Sequence, residues 1–341
     1  MKPLIYGVVA IAAVLVNQPT SAWNAQGHQT VGAIADSLLA GTNAGKEVKK
    51  ILGSGETLQL AALWADCAKG VVKNKKSGLF HFVVSSMFPE CVPFQTTAGK
   101  KAMVSFVKRN WDACLPAADE EICHKQYHYA DVAIERNGYA RTEIGTSDHD
   151  VVSAINAAVA VLKGGTAPAP FDLASSKEAL RVLAHYVGDV HQPLHVGAIY
   201  LSLAGQEVDP DSPPFDRKTR THGGNLIKDG SSGFHHEWDL IPTSQEVPGF
   251  LAGGVAAARL VPATTGAVDS WAAQWASDTV MASHAAFQGL SFGAEIDAGK
   301  KTAHWPVTEP GGYATARAAL QEQQLVKGGA RLAQLLEAVW P

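Results

Sequence analysis

Two pairs of side chains in this sequence stand four residues apart, each a histidine followed by an aspartate. They are His185 and Asp189 in "LAHYVGDVHQPLH", and His235 and Asp239 in "FHHEWD". Both stretches have helical apolar spacing, and an i, i+4 relation there puts both members on one face. A single imidazole–carboxylate pair is an ordinary structural hydrogen bond in many cores, so neither pair alone specifies chemistry. More residues of the same two types lie nearby. His195 follows Asp189 across Pro193, Asp66 closes another helical stretch in "LWADCAK", and His28 stands on the first one. Imidazole and carboxylate ligands without thiolate suit zinc, and a catalytic zinc keeps one position open for water.

The elements that must position these groups read as helices. "HQTVGAIADSLLA" puts Val31, Ile34, Ala35 and Leu38 on one face. "ETLQLAALWAD", "AGKKAMVSFVKRNW", "DHDVVSAINAAVAVLKG", "SSKEALRVLAHYVGDV" and "EQQLVKGGARLAQLLEAVW" repeat apolar residues at three- and four-residue intervals, several behind an Asp or Ser cap. Alternating strand-like runs are scarce. The loop from Ala204 to Asn225 is long for a connection inside a compact domain, and such loops often serve function. No internal repeat or clear linker interrupts the 341 residues, so the expectation is a single compact all-α domain.

Residues 1–22 have the pattern of a secretory signal. Lys2 precedes an apolar core from Leu4 to Val16, and Thr20 and Ala22 sit at the −3 and −1 positions of a small-residue cleavage site. The core is too short to span a bilayer. Cleavage after Ala22 would make Trp23 the first residue of a domain over 23–341, secreted or periplasmic and without a membrane partner. The four cysteines, Cys67, Cys91, Cys114 and Cys123, suit disulfides in an exported chain. Three pairings are open, and loop closure favours near neighbours, Cys67–Cys91 and Cys114–Cys123. No C-x2-C pair offers a cysteine zinc site. A formal net charge of −4 argues against a broad basic face for duplex phosphates.

In this order, "WNAQGH", "WADCAK", "YHYADV", "HYVGDVHQPLH", "HGGN" and "HHEWD" resemble the S-one/P-one type of zinc-dependent single-strand nucleases. That family shares its fold with the bacterial zinc phospholipases C. The resemblance runs from Trp23 to about Asp239, with a weaker helical match beyond. It implies three Zn2+ ions. Trp23, through its freed α-amine and carbonyl, and His28 would hold one. Asp66, His128, His185 and Asp189 would hold a second, with Asp189 bridging to the first. His195, His235 and Asp239 would hold the third. Two histidines compete for the place after Asp66. "HYAD" at His128 fits the family's His-aromatic-x-Asp pattern, whereas "HFVV" at His81 lacks the acid. Choosing His128 makes residues 70–125 an insertion and His81 an ordinary semi-buried histidine between aromatics. His236 and His191 are competitors without a ligand role.

The resemblance also implies a reaction. Three divalent cations outweigh three carboxylates and can attract phosphate to an acidic chain. A zinc-activated hydroxide would cleave single-stranded DNA and RNA, and also 3′-nucleotides, to 5′-phosphate products. Asp66 would orient that nucleophile, and Lys69 would neutralise charge developing on the phosphoryl group. Tyr129 would stack on an unpaired base while Asp131 and Asn225 hydrogen-bond its edge. The protein is expected to work as a monomer. Two other classes remain. A zinc phospholipase C typically has Glu where this chain has Asp239 and lacks an HGGN-like element. A non-enzymatic exported zinc-binding protein needs neither Lys69 nor a base platform.

Overall fold

The computed structural model describes residues 23–300 and 302–341. The expected signal segment lies outside them. Twelve α-helices are present among the described residues: α1 Ala25–Leu38, α2 Asn43–Leu52, α3 Leu58–Ala61, α4 Trp64–Ala68, α5 Thr97–Arg109, α6 Cys123–Gln126, α7 Val151–Leu162, α8 Ser176–Asp189, α9 Phe234–Asp239, α10 Leu251–Ala258, α11 Trp271–Phe287 and α12 Tyr313–Val339. Eight short strands accompany them: β1 Val71–Lys73, β2 Phe80–Phe82, β3 Val132–Ala133, β4 Gly197–Ala198, β5 Ile227–Asp229, β6 Ser232–Gly233, β7 Ser291–Phe292 and β8 Trp305–Thr308. The all-α expectation holds, since no strand exceeds four residues.

Local chemistry sets the helix starts. Asn24 accepts from the Gly27 amide, Asp150 from that of Ser153 and Ser175 from that of Glu178, each filling an otherwise orphaned donor of the first turn. Helix α8 is the central element. Eleven of its residues are buried, and α1, α2, α3, α4, α7 and α12 pack around it. It is therefore the rigid frame from which His185 and Asp189 project.

Two features depart from the sequence reading. "ETLQLAALWAD" is not one helix, because the chain turns at Ala62 and Leu63 between α3 and α4. Asp66 consequently sits in the middle of α4 and does not close a helix. The turn leaves the Ala62 carbonyl without a helical partner, and His185 takes it. His81 is exposed on β2, not semi-buried, because the hairpin buries its other face. Helices α2, α10 and α11 lie outside the stretches expected to be helical, although α2 starts behind a Thr42 cap and stops at Gly53. The last of these carries small residues on all sides, which blurs its apolar stripe.

The small sheets set the outer parts. Strands β3 and β4 pair in parallel, Val132 opposite Gly197, and so run the segment after His128 beside the one after His195. A four-stranded sheet, order β6-β5-β8-β7, supports α9 through a second apolar cluster that includes Phe234, Trp238 and Trp305. The disulfides are Cys67–Cys91 and Cys114–Cys123, the near-neighbour pairing. No helix among the described residues is long and apolar enough to cross a membrane.

Candidate metal centre

Three groups of ligand-type side chains meet beside α8: His28, His185 and Asp189; Asp66, His128 and His185; and His195, His235 and Asp239. They come from α1, α4, α8, α9, the loop after α6 and the 3-10 turn Pro193–His195. Asp189 faces two ways. Its Oδ1 lies 3.4 Å from His28 Nε2, and its Oδ2 lies 2.9 Å from His128 Nδ1 and 3.2 Å from His185 Nε2. Asp66 Oδ1 is 3.5 Å from His185 Nε2 and 3.8 Å from His128 Nδ1. Gly188 makes this approach possible, since a Cβ there would fall 2.8 Å from His28 Nδ1. Of the competing histidines, His81 and His236 are exposed. His191 turns the other way, to the Val187 carbonyl and Arg331.

The protons on these rings can be traced. His185 Nδ1 donates to the Ala62 carbonyl at 2.5 Å, His195 Nδ1 to the His128 carbonyl at 2.9 Å and His235 Nδ1 to the Gly223 carbonyl at 2.6 Å. Burial, against which the Asp66 charge and a backbone bond act only in part, brings His185 down to about 4. Burial brings His235 to about 4 and His195 well below its ordinary value. Each ring is then neutral, with its one N–H on Nδ1 and a lone pair on Nε2. His195 Nε2 and His235 Nε2 nonetheless face each other at 3.2 Å. Two lone pairs at that separation form no hydrogen bond, and a cation shared between them resolves the conflict. Backbone carbonyls that fix the ring tautomer in this way are the usual support of metal-bound histidines.

The acids agree with this reading. Asp189 and Asp239 are buried, and desolvation pushes both well above the carboxylate range. Among the described residues, neither Asp189 Oδ1 nor the ring nitrogens of His28 have a hydrogen-bond partner. Burial also works to raise Asp66, but Lys69, His185 and His28 outweigh it and hold Asp66 below the ordinary range. Lys69 Nζ lies 2.7 Å from Asp66 Oδ1, and its side chain is only 7 % exposed, so it is not a solvated surface lysine. The donor set fits divalent metal.

Trp23 lies against this centre. It is fully buried, its indole donates to the Gly188 carbonyl at 3.0 Å, and the Asn24 amide next to it donates to the Asp239 carbonyl at 2.8 Å. Lys69, His128, His195 and His235 open onto a cavity of about 350 Å³ that is also lined by Tyr129, Asp131 and Asn225. Tyr129 and Asn225 are half-buried, and burial raises the Asp131 carboxyl.

The S1/P1 Nuclease family matches residues 23–120 and 117–340. The chain belongs to that family. Its members' name makes it a nuclease-type hydrolase, and the three His/Asp groups are its candidate metal positions. A comparison with curated proteins finds no match. Sequence reasoning missed two contributors to this nuclease site. Arg220 lines the cavity from the long loop, and the Gly223 carbonyl orients His235. "HGGN" held the second signal. Gly223 has φ +59°, and a Cβ there would come 2.4 Å from the Leu194 carbonyl.

Proposed function

We propose that the protein is an exported, zinc-dependent phosphodiesterase that cleaves single-stranded DNA and RNA, and 3′-nucleotides, to 5′-phosphate products. The observation that carries this is the pair of neutral imidazole nitrogens facing each other at 3.2 Å beside a buried acid and a nucleotide-sized cavity. Zn2+ is the reading for a set of His nitrogens and carboxylates without thiolate. Trp23, His28 and Asp189 would hold one ion, Asp66, His128, His185 and Asp189 a second, and His195, His235 and Asp239 a third. When bound, zinc supplies positive charge for the phosphate and lowers the pKa of water.

The chain's own residues do the rest. Lys69 keeps Asp66 ionised and presents its ammonium to the cavity wall, where it can offset charge developing on a phosphoryl oxygen. Asp66, beside it, orients the attacking water. Tyr129 offers its ring to an unpaired base, and Asp131 and Asn225 offer polar atoms to the base edge. A base in a duplex reaches such a cavity only after unstacking, which costs a few kcal/mol. Two disulfides support an oxidising compartment. The burial of Trp23 beside His28 supports a mature chain that starts at Trp23, with its amine free to bind metal.

Metal analysis of the mature protein, paired with assays on denatured DNA, RNA, duplex DNA and phosphatidylcholine, tests the proposal. Three zincs and selective cleavage of single strands are expected. Cleavage of phosphatidylcholine alone, or a full metal complement without hydrolysis of any phosphodiester, overturns it. An added residue before Trp23 should cost one zinc and most activity.

A further inference from the structure

Among the described residues twelve large apolar side chains are well exposed, and six of them fall within residues 72–92: Val72, Leu79, Val83, Val84, Met87 and Val92. Single exposed apolar residues are ordinary, but a cluster marks a contact surface. The β1–β2 hairpin puts three of them on one face. Val71 pairs with Phe82, Val72 with His81 and Lys73 with Phe80. The ladder continues at both ends, where the Asn74 amide donates to the Leu79 carbonyl and the Val83 amide to the Gly70 carbonyl. Successive strand residues point to opposite faces. Val71, Phe80 and Phe82 share the inner face, where Phe80 stands edge-on to Trp111 at 4.9 Å and α5 packs against both strands. Val72, Leu79, His81 and Val83 share the outer face, on which Leu79 is 70 % exposed. Asn74 Oδ1 accepts the Lys76 and Ser77 amides at 2.9 and 3.0 Å and so fixes the turn at the tip.

The charge around this face is one-sided. Between Gly70 and Trp111 the chain has six lysines and Arg109 against one acid, Glu90, a net +6 within a protein of net charge −4. Arg109 is matched by Asp172 and Glu178. The six lysines enter no salt bridge among the described residues, and Lys75 and Lys76 are exposed at the hairpin tip.

We propose that the outer face and tip of the hairpin dock on an anionic lipid surface. The pattern selects this occupant over three others. Apart from His81 the face is aliphatic, whereas single-stranded nucleic acid is held by stacking on rings. Protein interfaces draw on aromatic residues and arginine and are poor in lysine. A two-fold contact with a second copy would set one cationic patch against the same patch. Lysines beside aliphatic side chains suit a bilayer, because their stems lie along apolar surface while the ammonium groups stay among anionic head groups. The absence of a spanning segment led to the expectation of a chain without a membrane partner, and a peripheral contact needs no such segment. The inference is independent of the nuclease reading.

The test measures partition of the zinc-loaded mature protein onto vesicles of phosphatidylcholine with or without phosphatidylglycerol. Binding is expected on the mixed vesicles, weaker on phosphatidylcholine alone, and reduced by salt. Lys75→Gln/Lys76→Gln should lower the partition constant on mixed vesicles about fivefold for each lysine. Leu79→Ser/Val83→Ser should lower it more than about tenfold, since each carbon withdrawn from the acyl region is worth about fourfold. Unchanged zinc content and Tm identify both variants as folded. No binding by the native protein, or native binding by both variants, overturns the proposal. So does a native dimer in sedimentation that Leu79→Ser/Val83→Ser dissociates while vesicle binding is kept, which would assign the face to a second copy. Loss of oligothymidylate binding in both variants with vesicle binding kept would assign it to nucleic acid and overturns the proposal as well.

Discussion

His195 and His235 each commit their single ring proton to a backbone carbonyl, and that choice decides what the opposite nitrogen can do. The carbonyl of Gly223 is therefore part of the site. Gly223→Ala puts a Cβ 2.4 Å from the Leu194 carbonyl at a φ of +59°, and backbone strain of this kind costs about 1–3 kcal/mol. The His195/His235/Asp239 group should lose its ion while the others keep theirs, as read by zinc stoichiometry. Tyr129 and Lys69 should separate binding from chemistry. Tyr129→Ala removes the proposed stacking surface, worth about 1–3 kcal/mol, so KM on unstructured oligonucleotides should rise roughly five- to 150-fold with kcat little changed. Lys69→Ala should lower kcat and leave KM near its native value if, as proposed, its charge acts on the transition state. Native kinetics for Tyr129→Ala at unchanged zinc content would return that ring to a packing role.

At the scale of elements, α4 and the β1–β2 hairpin form one unit with the Cys67–Cys91 bridge. The disulfide joins the residue after Asp66 to the 3-10 turn Pro89–Phe94, across a separation of 24 residues. It thus closes the loop that contains the hairpin. Removing it with Cys67→Ser and Cys91→Ser should cost about 3 kcal/mol by loop entropy. In a chain of this size that corresponds to a Tm lower by roughly 5 °C. Because Asp66 neighbours the bridge, zinc affinity should weaken as well, measured by competition with a chelator. A Tm and zinc affinity equal to those of the native protein would show that packing of α4 against α5 and α8 holds Asp66 unaided.

Across the whole molecule, the three His/Asp groups gather residues spread from His28 to Asp239 around α8. His28 comes from α1 and His235 from α9, and α1 in turn packs along α12. Metal bound only by the folded chain adds stability by mass action, about 4 kcal/mol for a site held at a thousandfold excess over its Kd. Chelation should therefore lower Tm by on the order of 5–10 °C. Added Zn2+ should restore both Tm and activity, with calorimetry and a single-strand assay read on the same samples. An unchanged Tm after complete zinc removal would contradict metal binding by these buried groups.

The sequence by itself determined whatever depends on neighbours along the chain. The i, i+4 pairs His185/Asp189 and His235/Asp239 follow from helix pitch, and the helix starts follow from the Asn24, Asp150 and Ser175 caps. Loop length favoured the near-neighbour disulfides among three open pairings, and the fold carries that one. Tertiary packing decided the rest. His128, and not His81, lies beside Asp66 and His185, because the hairpin carries His81 out to solvent while the β3–β4 pairing draws the His128 segment against His195. The break at Ala62 and the turn at Gly223 supply carbonyls to His185 and His235 across separations of 123 and 12 residues. Helical periodicity fixes which face a residue occupies on its own element. Which faces meet, and where a ring proton goes, is set only when α8 is enclosed by its neighbours.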